Sequence, residues 1–264
     1  MTFPIISGPA ERVFGVHEIS PAAPEMEVRA RTRRWVEGSD GDAPVGVLGV
    51  PVDNATGYAV IAGAPPGHWS VTTELALDVF GRIPTDGSDL VASAALVHSN
   101  ASTGFSEGEV VDALGRKVAR IRQRGLFVAG YPGAATSAAV PSAGPGPVDL
   151  GAFFGVVSNG SRKPGAAEVD VTADLVNPMR NLHGGVGLCL VEWMARERLQ
   201  AVNGDGLRTT SIHVSYLRPV PLGSTVRVST EVLHCGRSFG LVHVTASLPN
   251  GKPVLVGRVT GGAA

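Results

Sequence analysis

The stretch "HGGVGLCLVEWMARERLQAV", residues 183–202, decides the fold. Its first half is apolar at nearly every position, so a helix formed there has no face to give to water and needs a sheet wrapped around it. One acid, Glu192, interrupts the run nine residues after His183. A carboxylate in such a setting is costly unless it is paired, hydrated or useful. Glu192 is therefore either a hydrogen-bonded structural acid or a chemical one.

Earlier in the chain, "APVGVLGVPVDNATGYAVIAG" (43–63) has the same character and carries Asp53 in the column of Glu192. The likeness extends outward from there. "FGV" at 14–16 recurs at 154–156, "TTELALDVF" (72–80) resembles "TTSIHVSYL" (209–217), and "GSDLVASAALVHS" (87–99) lies on "GSTVRVSTEVLHC" (223–235). Gly115 then meets Gly251 at the same offset as that last pair. Registers that agree this closely indicate two copies of one unit. Between them "LFVAGYPGAATSAAVPSAGPGP" (126–147) is uncharged and rich in Gly, Ala, Ser and Pro, the composition of a linker. The predicted division is a first unit over 1–128, a linker over 129–147 and a second unit over 148–264.

After each apolar helix come runs that alternate with a period of two, such as "LVASAALVH", "KVARIRQRG", "TVRVSTEVLH" and "GLVHVTASL", with "DALG" and "LPNG" as turn signals. This pattern reads as an antiparallel meander. One strand, one buried helix and several antiparallel strands make an α+β unit, present twice.

Composition narrows the partners. With 22 basic and 23 acidic side chains, the chain carries no footprint for nucleic acid or an anionic membrane surface. Two cysteines, Cys189 and Cys235, without a C-x-x-C pair indicate neither a zinc site nor a disulfide framework, so no metal is expected. The opening "MTFPIISGPAERVFG" lacks a basic segment followed by an apolar run, and the expected location is the cytoplasm. A small molecule or a second copy of the chain is the expected partner.

"NPMRNLHGGVGLCLVEWMA", followed by "TTSIHVSYLRPVPLGSTVRV" and a Gly-Arg hairpin at 236–237, resembles the hot-dog fold acyl-CoA thioesterases of the phenylacetate-degradation and 4-hydroxybenzoyl-CoA type. The resemblance implies a tandem hot-dog fold, each half an antiparallel sheet wrapped around a long helix. It also implies an Asn six residues before the HGG, an acid nine residues after its His, and a hydroxyl at the start of the next strand. These are Asn177, His183, Glu192 and Thr209 or Thr210. Two positions depart from the pattern. Arg180 stands where the family has a Gly, and Pro44, Val45 and Gly46 replace HGG in the first half, which nevertheless keeps Asp53.

The chemistry of these residues fits acyl transfer. A helix N-terminus presents unpaired N–H groups and a positive partial charge, so Gly184 N–H is a candidate oxyanion donor. Gly185 would let substrate approach the backbone, although a Gly-Gly pair equally permits tight helix packing. His183 reads as an N-cap or positioning residue more than a base. In a hot-dog dimer the resemblance implies that each site is shared between subunits. Within one chain, Asn177, His183 and Gly184 should therefore face Asp53 with Thr72 or Thr73 in one complete site. The reciprocal site, Glu192 with Thr209 or Thr210 against Val45, should be degenerate.

The expected activity is hydrolysis of an acyl-CoA thioester by a carboxylate nucleophile or general base, without a cofactor, coenzyme A entering as part of the substrate. A homodimer of double hot-dog chains is expected. Two alternatives stay open: a non-catalytic acyl-CoA binder, and an enoyl-thioester hydratase or dehydratase, for which the sequence lacks an Asp with a His five residues on. "GRSFG" (236–240) matches a nucleophile elbow in letters, but strand alternation follows it, so a hairpin is expected. The alternate arginines Arg29, Arg31 and Arg33, and Arg120, Arg122 and Arg124, read as solvated strand faces, with a coenzyme A phosphate site as the alternative.

Overall fold

The computed structural model describes residues 8–22, 24–32, 35, 43–130, 149–156 and 165–263. Most of the linker prediction, and Arg33, lie outside the described residues. Among the described residues eleven strands form one continuous sheet, every neighbouring pair antiparallel. The first unit supplies β1 (Val16–Ala22), β2 (Glu25–Ala30), β3 (His68–Val79), β4 (Leu90–Ser99), β5 (Thr103–Val111) and β6 (Lys117–Ala129). The second supplies β7 (Ala166–Asp170), β8 (Leu207–Tyr216), β9 (Thr225–Cys235), β10 (Phe239–Ser247) and β11 (Pro253–Ala263). Their spatial order is β1-β2-β4-β5-β6-β3-β8-β11-β10-β9-β7.

Setting β1 aside, this order reads the same from both ends, and β3 pairs with β8 at its centre. There Ala76 lies opposite His213, the residues that the repeat makes equivalent. The pseudo-twofold axis of the molecule runs between them. The two halves are thus joined edge to edge, which removes the exposed strand edge each would present alone.

Two long helices, α2 (Gly49–Ile61) and α4 (Gly184–Asn203), are the buried helices that the composition required. Twelve residues of α2 are buried, among them Asp53 and Thr56. Two short helices, α1 (Pro9–Val13) and α3 (Leu150–Phe153), lie near the starts of the first and second units. The "DALG" and "LPNG" turns close β5–β6 and β10–β11 as expected, with Gly115 and Gly251 both at positive φ.

Three local readings differ from the sequence expectation. Strand β1 was not foreseen. Residues 126–129, assigned by composition to the linker or its border, finish β6 and pair with β3. The first helix starts late, with Val45–Leu48 in a 3-10 turn. Pro51 explains the last point, because its ring would clash with the carbonyl four residues back if the α-helix extended that far.

The helices touch through glycine. A Cβ on Gly49 would sit 2.1 Å from the Gly185 carbonyl oxygen, and one on Gly185 would sit 2.3 Å from that of Gly49. Backbone therefore lies on backbone, and Gly185 serves helix packing. This corrects its expected role in admitting substrate: the Cα face meant for a ligand is covered by α2.

A Gly→Ala change inside a helix ordinarily stabilises it by up to about 1 kcal/mol. Here the sign should reverse. Gly49→Ala is expected to lower unfolding free energy by about 3 kcal/mol, the upper end of the overpacking range, as read from urea denaturation. A stabilised variant would show that the helices are not in contact there.

Candidate active site

The helix contact brings the N-terminus of α4 against Asp53 on α2. Asp53 Oδ2 accepts from Gly185 N at 2.9 Å, and Thr72 Oγ1 on β3 donates to Oδ1 at 3.0 Å. A Cβ on Gly184 would lie 2.7 Å from Asp53 Oδ2, so glycine is required for the carboxylate to come this close. Gly184 N–H opens the helix, where the ladder provides no acceptor for it. His183 and Gly184 therefore face Asp53 across the two halves, and Asn177 lines the same cavity.

His183 is 3 % exposed and sits between two carboxylates. Its Nδ1 is 3.1 Å from Asp53 Oδ2 and its Nε2 is 3.3 Å from Glu11 Oε1. Burial by itself opposes a charged ring, but the hydrogen bonds to Asp53 and Glu11, helped by their charge, outweigh it and raise the His183 pKa to about 10. Glu11 responds in kind. Burial pushes its carboxyl up, yet the His183 hydrogen bond and charge leave it below its ordinary value.

Nδ1 also lies 3.0 Å from Gly185 N, the geometry of an N-cap. A ring protonated on both nitrogens has no lone pair to cap with. In the imidazolium form Nδ1–H and Gly185 N–H both donate to Asp53 Oδ2, and the acid takes over the cap.

The hydroxyl expectation resolves to one residue. Thr72 bonds Asp53, whereas Thr73 Oγ1 donates to the Arg124 carbonyl. An irregularity in β3 between Thr72 and Glu74 separates the two. Behind Thr72 stands Gln123 on β6, whose Nε2 donates to Thr72 Oγ1 at 3.1 Å while Thr56 Oγ1 donates to its Oε1 at 2.6 Å. Tyr216 on β8 donates to the Gly184 carbonyl at 2.5 Å, and burial, then the Asp53 charge, holds its phenol far above the ordinary range. Sequence reading missed Glu11, Gln123 and Tyr216.

These groups line a cavity of about 650 Å³. Tyr58, Trp69, Val71, Leu126 and Val128 from the first half form apolar wall, as do Met179, Leu182, Leu217 and Val254 from the second. Of the aromatic side chains, Trp69 lines it, whereas Phe153, Phe154 and Trp193 pack in a separate cluster with Phe14 and Trp35. Asn177 also lines the cavity, and its Oδ1 accepts from Met179 N and Asn181 N. That turn places Arg180 at φ 58°, a conformation that favours glycine. The departure from the family pattern at Arg180 therefore strains the backbone without intruding on the site, since the side chain is exposed.

The second acid has the same local partner and different surroundings. Thr209 Oγ1 donates to Glu192 Oε1 at 2.7 Å, and Arg196 Nε is 3.7 Å from that oxygen. Thr210 turns away to the Thr260 carbonyl. Glu192 is fully buried, and a Cβ on Gly46 would lie 3.1 Å from its Oε2 and 2.9 Å from Cys189 Cα. Gly46, within the 3-10 turn at Val45–Leu48, thus packs directly on Glu192, whereas Asp53 borders the cavity. None of Glu192, Thr209, Thr210 or Val45 lines that cavity.

The arginine rows are ion-paired strand faces: Arg122 lies 3.6 Å from Asp78, Arg124 lies 3.4 Å from Glu74, and Arg31 lies 2.7 Å from Asp89. Gly236 N bonds the Phe239 carbonyl in a hairpin, so "GRSFG" is a turn. Among the described residues no cluster fit to hold a metal occurs, and no helix is long and apolar enough to cross a membrane.

Residues 172–262 match the family model described as acyl-CoA thioesterase N-terminal domain. No curated protein matches in sequence. Among solved structures, the chain is similar to an acyl-CoA thioesterase II from Mycobacterium marinum, at 13% identity and TM-score 0.59, covering 97% of this chain and 96% of that one. It is also similar to a 12:0-ACP thioesterase from Umbellularia californica, at 13% identity and TM-score 0.61, covering 91% and 94%. A conserved hot-dog protein from Alicyclobacillus acidocaldarius shares 10% identity and a TM-score of 0.63 over 98% and 99%. At such identities these likenesses establish the fold, a double hot-dog.

A histidine whose pKa rises from 6.5 unfolded to about 10 folded stabilises fully below pH 6.5 and loses that contribution as pH climbs toward 10. Unfolding free energy from urea titrations should therefore fall steadily between pH 6.5 and 10. His183→Asn should flatten that slope, and an unchanged slope would mean that the ring is neutral in the folded chain.

Proposed function

We propose that this double hot-dog chain, whose second half carries an acyl-CoA thioesterase domain, hydrolyses acyl thioesters at one site shared by its two halves. The observation that carries the reading is the meeting of Asp53 with the α4 N-terminus on an apolar cavity. Such a cavity takes an acyl group, and the helix start takes the oxygen of its carbonyl.

In the proposed reaction the thioester carbonyl lies at Gly184 N–H. Asp53 removes a proton from water, or attacks the carbonyl carbon itself. Negative charge then develops on the carbonyl oxygen, where a pre-aimed N–H is worth roughly 3 kcal/mol by analogy with measured oxyanion holes. When water attacks, collapse of the tetrahedral species breaks the C–S bond and the thiol leaves with the proton that Asp53 took from water. When Asp53 attacks, collapse expels the thiolate and leaves an acyl–Asp53 anhydride, which water then hydrolyses to the free acid, its proton passing to the thiolate as the carboxylate is regenerated. Thr72 and Gln123 keep Asp53 Oδ1 in one orientation. Tyr216 fixes the peptide plane that follows Gly184.

The carrier of the acyl group is read as coenzyme A, in keeping with the matched family model. Similar folds include enzymes named for acyl-CoA and for acyl-ACP, so the screen needs both carriers. Free-thiol release should appear with acyl-CoA substrates, short, long or aromatic. Its absence on every thioester, with binding retained, would establish a binder; hydration of an enoyl-CoA with the thioester intact would establish a hydratase.

On a hydrolysed substrate, Asp53→Asn should lower kcat by roughly 10²- to 10⁴-fold. Glu192→Gln should leave kcat within a few-fold of the parent, because its surroundings are filled. The opposite ranking would return the chemistry to Glu192.

A further inference from the structure

Beside the cavity stands a buried acid that the proposed reaction does not use. Glu11 is 1 % exposed, lies 172 residues before His183, and reaches the site from α1. Its Oε2 accepts from Gly8 N at 2.7 Å, which leaves Oε1 toward His183 Nε2 at 3.3 Å, with Asn54 Nδ2 at 3.5 Å from the same oxygen. A carboxylate removed from water this far is costly unless a positive partner meets it, and His183 is the ring it meets.

The repeat supplies an internal comparison. Counting by the two "FGV" copies, the counterpart of Glu11 is Gly151; counting by the two acids, the counterparts of Asn54 and His183 are Trp193 and Pro44. A Cβ on Gly151 would touch the Trp193 ring at 3.4 Å. Where the histidine is missing, its acid and amide neighbours are missing too: a glycine and an indole ring stand in their columns. Glu11 thus accompanies the histidine and not the fold.

We propose that Glu11 is a positioning residue for thioester hydrolysis: it holds the His183 ring doubly protonated and clamped against Asp53, so that the carboxylate keeps one orientation toward the cavity. This rests on the hydrolase reading. Among the described residues the titratable groups facing His183 are Glu11 from α1, Asp53 from α2 and, one peptide away, Tyr216 from β8. Tyr216 stays neutral, so the ring answers to the two acids. With Glu11 neutralised, Asp53 alone must hold the proton on a buried ring, and burial works against it. Once neutral, the ring withdraws its donor from Asp53 Oδ2 and competes for Gly185 N–H as a cap.

The test uses the full chain with ¹⁵N-labelled histidine, and compares the parent with Glu11→Gln and Glu11→Asp. At pH 8 the parent should show the His183 ring doubly protonated, Glu11→Gln should show it neutral, and Glu11→Asp should restore the charged form. On a hydrolysed acyl-CoA, Glu11→Gln should lower kcat about tenfold or more with KM within about threefold, and move the alkaline limb down by about one pH unit or more. Glu11→Asp should regain most of both. A ring still charged at pH 8 in Glu11→Gln, or a fall in kcat with the alkaline limb unmoved, would overturn the proposal. If no thioester is cleaved by the parent, the hydrolase reading fails on that ground, while the ring titration still reports whether Glu11 controls His183.

Discussion

The approach of two glycines, Gly49 and Gly185, sets the distance on which the site depends. Because no side chain separates α2 from α4 at that point, the carboxylate of Asp53 comes within hydrogen-bond reach of the first turn of α4. A helix start is electropositive and short of acceptors. The acid thereby gains its partner from the other half of the chain, and the buried charge is held by donors aimed at it. Edge pairing of β3 with β8 keeps the two halves in the register that this contact needs.

The pseudo-twofold axis relates two acids, Asp53 and Glu192, whose surroundings differ, and on the proposed reading only the first is a working site. At Asp53 the opposing helix begins with His-Gly-Gly; at Glu192 it begins with Pro44, Val45 and a 3-10 turn whose backbone packs onto Cys189. Both acids keep a threonine partner, so what differs is the space in front of the carboxylate. The second acid bonds Thr209 on β8 and lies beside Arg196 on its own helix.

Much of this was legible because it is written at short range or in the repeat. Apolar stretches with one acid each, alternating strands, and offsets linking Asp53 to Glu192 and Thr72 to Thr209 are properties of the letters; the crossed arrangement of Asp53 with His183 and Gly184 came from the shared site that the family resemblance implies. Glu11 was not legible. In "GPAERV" an acid in the first turn of a short helix looks like any solvated helix-start residue, and only the fold shows that His183 closes over it. Gln123 sits among arginines on β6 in a strand that reads as polar on one side, so its inward direction emerges from register with β3. The end of β6 was misread as linker because Ala and Gly at 129–130 continue into the Gly-Ala-Pro run without a break in composition.

The central claim is that each chain holds one site assembled from both halves. Calorimetric titration with a non-hydrolysable thioether analogue of a turned-over acyl-CoA counts sites without relying on turnover. The account predicts a stoichiometry of one analogue per chain, abolished by a bulky residue at Gly184. Two equivalent sites per chain, or binding indifferent to that substitution, would contradict it.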